Sequence, residues 1–191
     1  MNYLVPAQAG AQLLSLFIFA TMARWYVAPR LAKLERADAL IPLLWIHAFR
    51  YVALQVFSAQ RDGFPISDGG LSEIVLGDIG GAAIALVAIF SLRHKMRIGL
   101  ALAWALVAET IYDTVGNIRG GMQEHLFGAS GGVTWLILAF YVPLVIVSLV
   151  LLAWQLYARR GEALTAGDPS QNRAHESASF RPDLSYVKEP T

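Results

Sequence analysis

The sequence predicts an all-α, polytopic membrane protein with five transmembrane helices, its N-terminus outside and its C-terminus inside. Three observations carry this expectation. Of 191 residues, 56% are hydrophobic and 15% charged, with a mean hydropathy of +0.50. A soluble domain of this length would expose too much apolar surface. Five stretches reach the roughly 20 apolar residues that a helix needs to cross the hydrocarbon core. Basic residues also alternate from one connection to the next, which fixes a direction.

The first span is expected from Gln8 to Val27. The segment before it, MNYLVPAQAGAQLL, has no basic n-region and does not read as a cleaved signal peptide, so span one is expected to be retained. Gln8 and Gln12 share one face and can hydrogen-bond within the bundle. After span one, Pro29 and the run RLAKLERAD suggest a short helix on the inner surface. The second span covers Ala39–Ser58, the third Ser72–Leu92, the fourth Ile98–Ile118 and the fifth Val133–Tyr157. Pro143 is expected to kink the last of these. Residues 1–160 thus form a five-helix bundle. Residues 161–191 are polar, rich in Ser and Pro and poor in aliphatics, and are expected to be a disordered cytoplasmic tail.

Arg24 in the last turn of span one is followed by Arg30, Lys33 and Arg36; Arg93, Lys95 and Arg97 follow span three; Arg159 and Arg160 follow span five. The other two connections carry only Arg61 and Arg119, so they face outward under the positive-inside rule. Trp25, Tyr26, Trp104, Trp154 and Tyr157 then anchor the inner interface, and Trp135 the outer one.

Away from the span ends, five His, Arg, Asp and Glu residues fall inside the spans: His47, Arg50, Asp78, Glu109 and Asp113. A charge at the bilayer centre costs roughly 2.5–3.5 kcal/mol even on forgiving scales, so such residues pair with one another and mark functional sites. At 1.5 Å per residue, His47 lies about 12 Å and Arg50 about 16 Å from the inner end of span two. Asp78 lies about 9 Å, and Asp113 about 7 Å, below the outer ends of their spans. All five are therefore read as lying from about mid-depth to the outer surface. His47 and Arg50 are i, i+3, while Glu109, Asp113 and Asn117 form an i, i+4, i+8 stripe flanked by Thr110 and Tyr112. Gln55 extends the Arg50 side. These residues predict an outward-facing polar site in which one Arg faces three acids, so a retained proton or a bound cation must complete the charge balance. The bland reading is an ion pair that holds helices together.

The site reads as one that binds or conducts a proton, cation or small polar solute, including an anionic headgroup through Arg50. Two alternatives stand beside it. His47, Asp78, Glu109 and Asp113 are donors that suit a divalent metal, and so a metal-dependent membrane enzyme. The chain also fits a non-catalytic accessory subunit of a larger membrane complex, or a homo-oligomer. The sequence has no cysteine, which excludes thiolate metal sites, disulfides and cysteine nucleophiles. No HExxH motif or phosphate-binding loop is present, and the GxSxG spelling at Gly128–Gly132 falls in a loop between spans, not in the strand-to-helix turn of a nucleophile elbow. Haem is not expected, because His47 is the one histidine inside a span. The net charge of +1 gives no footprint for nucleic acid; the partner is the lipid bilayer.

Gly77 and Gly81 make a GxxxG spacing continued by Ala85, expected to serve packing within the bundle, with a homodimer seam as the lesser option. The loops RDGFPISDGG and RGGMQEHLFGASGG are Gly-rich candidate gates, in which Glu124 and His125 could cover the site. The arrangement of His47-x-x-Arg50, Gly77-Asp78 and Asp113 resembles small uncharacterised bacterial integral-membrane proteins over about residues 40–118. It departs from their pattern where Glu109 and Thr110 stand in place of Asn and Gly. The resemblance implies a multi-pass protein of the bacterial inner membrane and brings no activity with it.

Overall fold

The computed structural model describes residues 3–162 and 164. Five helices are long and apolar enough to cross a membrane: α1 (Leu4–Leu31), α2 (Arg36–Arg61), α3 (Asp68–Arg93), α4 (Ile98–Gln123) and α5 (Gly132–Ala158). No strand occurs among the described residues. Each helix overruns its expected apolar stretch, because caps and polar end residues set the true limits. Ser67 caps α3 by accepting a hydrogen bond from the Gly70 amide at 3.0 Å. Just past the ends of α2, α3 and α4, Gly63, Lys95 and His125 adopt positive φ, of 99°, 58° and 54°. This left-handed turn breaks the helical ladder.

The expected surface helix after span one is absent. Pro29 lies in the last turn of α1, and the RLAKLERAD run is divided between that turn, a short connection and the start of α2. Pro is tolerated there because the preceding π-helical segment, Ala23–Val27, already shifts the hydrogen-bond ladder. The same pairing recurs in α5, where a π-helical segment at Ile137–Tyr141 directly precedes Val142 and Pro143.

α3 and α4 pack along most of their length, α2 lies against α3 and α5, and α1 runs along α5 on the outside. Phe19 of α1 meets Phe140 of α5 edge-on, with centroids 5.0 Å apart. Ser130 donates to Gln8 at 2.6 Å, so Gln8 is bonded as expected. One end of the bundle, bearing the α1–α2 and α3–α4 connections, is an aliphatic core that includes Leu40, Leu44, Ala85, Ala88, Ile89, Leu92, Ala103, Leu106, Leu152 and Leu156. Trp25, Tyr26, Trp104, Trp154 and Tyr157 are exposed on the surface of the bundle.

Of the tail, only residues 161, 162 and 164 are described; the remainder lies outside the described residues. Its first residues are tied to the bundle. The Glu162 carbonyl accepts from Arg36 at 2.9 Å, and its carboxylate pairs with Arg159 at 2.6 Å.

Candidate functional site

α2 is not a uniform α-helix. Between Phe49 and Leu54 it tightens into a 3-10 segment. Arg50 and Ala53 in this segment and Val56 and Ala59 in the α-helical turns after it recur at every third residue, and all four are buried. Gln55 falls off this buried row and is exposed, contrary to the expectation that it extends the Arg50 side. Two carbonyls ahead of the tightened segment are served by α5: Tyr141 Oη donates to Ile46 O at 2.9 Å, and Ser148 Oγ to Leu43 O at 3.2 Å. The start of the tightened stretch is thereby braced from behind.

Arg50 is 2% exposed and stands at the centre of three acids. Its Nε donates to Asp78 Oδ1 at 2.7 Å. Nη1 donates to Glu109 Oε2 at 2.6 Å and to Thr110 Oγ1 at 3.0 Å. Nη2 donates to Asp113 Oδ2 at 2.6 Å. A planar guanidinium with its forked donors can bridge three carboxylates in this way; an ammonium cannot. Asn117 Nδ2 then donates to Asp113 Oδ2 at 3.1 Å, completing the expected stripe of Glu109, Asp113 and Asn117. Thr110 belongs to the cluster, whereas Tyr112 is 83% exposed and faces away.

His47 is fully buried beside this cluster but takes no part in its hydrogen bonds, and neither ring nitrogen has a partner. The four donors grouped as a metal set are thus not brought together as ligands. Arg50 fills the space between the three acids, and among the described residues no group of three His, Asp or Glu side chains is arranged to hold a metal ion.

The glycines of α3 have a sharper role than general packing. A Cβ on Gly81 would collide with the Arg50 guanidinium and stand 2.8 Å from Glu109 Oε2. A Cβ on Gly77 would collide with the Asp113 carboxylate. The GxxxG face therefore receives charged side chains from α2 and α4 against bare backbone. Sequence reasoning left Gly77 and Gly81 out of the site, although Gly77 stands next to Asp78.

Beyond Asn117, α3 and α4 separate slightly into a narrow crevice with room for about one water molecule. Gly70, Gly116, Gly120, Glu73 and Glu124 are among its lining residues. Glu73 is a further residue the sequence reading missed; its placement follows from its position between Gly70 and Gly77 on the α3 face. Glu124 accepts from the Ser67 amide at 2.8 Å and from Ser67 Oγ at 2.6 Å, joining the end of α4 to the start of α3. These two donors hold its carboxyl below the usual carboxylate range. A Cβ on Gly70 would collide with the Glu124 carboxylate, which would have to shift. His125 does not line the crevice; it borders a separate surface hollow with Met122 and Phe127.

No curated protein and no solved structure matches the chain. Residues 8–157 match the family described as "Domain of unknown function (DUF8737)", a span that takes in all five helices almost entirely and every residue of the cluster. The chain, with its buried Arg50 held among three acids, belongs to that family.

Proposed function

We propose that this is a multi-pass membrane protein that binds protons or a small monovalent cation at the Arg50 cluster, loading them from the outer face. The observation that carries this reading is the charge count. One buried guanidinium serves Asp78, Glu109 and Asp113, so the ionised cluster holds two negative charges in excess. In a poorly solvated site such an excess draws in positive charge. Glu109 Oε1 is buried with no hydrogen-bond partner, an unmet oxygen that a proton or cation would satisfy. Arg50 already donates four hydrogen bonds, which argues against recruiting an anionic headgroup through it.

The outward direction rests on the basic residues, which concentrate in the α1–α2 and α3–α4 connections and after α5. On the inner side of the cluster the bundle closes into its aliphatic core, so binding fits better than continuous conduction. The test is to count the protons taken up by nanodisc-embedded protein on an acid step, in a buffer whose only other cations are bulky organic ions, wild type against Asp113→Asn. The expected result is a smaller uptake by the variant; equal uptake would refute the proposal.

A further inference from the structure

We infer that the crevice between α3 and α4 is a cation-selective supply route to Asp113, with Glu73 and Glu124 collecting charge at its mouth. The inference deepens the proposed function and rests on it. Three independent observations meet here. The crevice is a physical opening, not only a row of small residues. Asn117 lines it and donates directly to Asp113, so a group entering there is one hydrogen bond from the Arg50 cluster. Its charged lining is acidic: Glu73 and Glu124 contribute, and no Lys, Arg or His does. Arg61, Arg119 and His125 occur at this end of the bundle but outside the lining. A cleft of one sign between low-dielectric walls concentrates the opposite ion. In the opposite half of the same seam, Ala85, Ala88, Ala103 and Leu106 are buried in the aliphatic core.

The absence of cysteine makes the route directly testable. Single cysteines are introduced at Gly116, Gly120 and Ala103 in the full chain. The first two are sterically permitted: a Cβ at Gly116 meets only Glu73 Oε1, at 3.5 Å, and one at Gly120 has nothing within 4 Å. Each variant is treated in nanodiscs with a cationic or an anionic methanethiosulfonate of similar size.

The expected result is labelling at residues 116 and 120 and none at 103. Relative to a free thiol, the cationic reagent should be favoured by about tenfold or more. Modification at residue 116 should also slow deuterium exchange into the cluster's carboxylic-acid infrared band by about tenfold, as blockage of the supply requires. Labelling at residue 120 alone would overturn the route, as would equal rates for the two reagents. An unreactive residue 116 with an intact carboxylic-acid band in the wild type would reject the route and leave proton binding standing. A labelled crevice above a cluster with no such band would reject proton binding, and the supply role with it.

Discussion

The two halves of the α3–α4 seam are built from similar small residues and do opposite things. In the half near the α3–α4 connection, Ala85, Ala88 and Ala103 let the helices close on Ile89, Leu92 and Leu106, and the result is dry. In the other half, Gly77 and Gly81 let α3 take the Arg50 guanidinium and the Asp113 carboxylate against its backbone. The difference between alanine and glycine is one methyl group. That methyl fills space where packing is wanted, and its removal makes room where charge must be held. Close approach of helices is therefore a means, and the residues brought to the seam decide its purpose.

The largest break in this comparison is expected from Arg50→Leu. Removing the cation leaves three acids facing one another without compensation, a loss of about 3–5 kcal/mol. Unfolding in mixed micelles should show it, and Arg50→Lys should recover little because one ammonium cannot reach three carboxylates. In the dry half, Leu106→Ala is expected to cost about 2–3 kcal/mol, toward the low end for a buried leucine because lipid is itself apolar. Proton uptake by this variant should be unchanged, which separates packing from charge. Gly81→Ala is expected to cost about 1–3 kcal/mol by overpacking. It should also alter proton uptake, because the added methyl displaces Arg50.

The smallest effect is expected at the mouth of the crevice. The Glu124 carboxyl lies below its ordinary range because Ser67 donates to its charged form. Its contribution is therefore complete at neutral pH and is lost as pH falls through that depressed value. Hydrogen exchange at the Ser67 and Gly70 amides should rise over that acid range, after correction for intrinsic rates. Glu124→Gln should show the raised exchange already at neutral pH, and little pH dependence of its own.

Much of the site was legible in the sequence, because ionisable residues inside apolar spans are conspicuous and helical spacing groups them. Arg50, Asp78, Glu109 and Asp113 meet between helices, and the i, i+4 spacing brings Asn117 to Asp113. What could not be read was local winding. Nothing in the composition of FRYVAL marks it as tighter than an α-helix, whereas Gln55, five residues after Arg50, lies well off the Arg50 face in either winding. His47 shares a face with Arg50 and is buried, yet it makes no bond to the acids, since a shared face does not fix what a side chain reaches. The glycines were read as a packing motif because a missing side chain carries no sign of what will occupy its place. Glu73 was hidden for a simpler reason, while Glu124 was legible as a loop acid able to cover the site. Acids near helix ends are ordinary, and only the fold shows that these two border one opening.

The central claim is that the excess negative charge around Arg50 is balanced by bound positive charge. The most direct measurement is the infrared spectrum of the nanodisc-embedded protein at neutral pH, in a buffer whose only cations other than protons are bulky organic ions. The account predicts a carboxylic-acid carbonyl band that shifts in deuterated water and weakens in Glu109→Gln or Asp113→Asn. A spectrum with no such band, with Asp78, Glu109 and Asp113 all ionised, would contradict it.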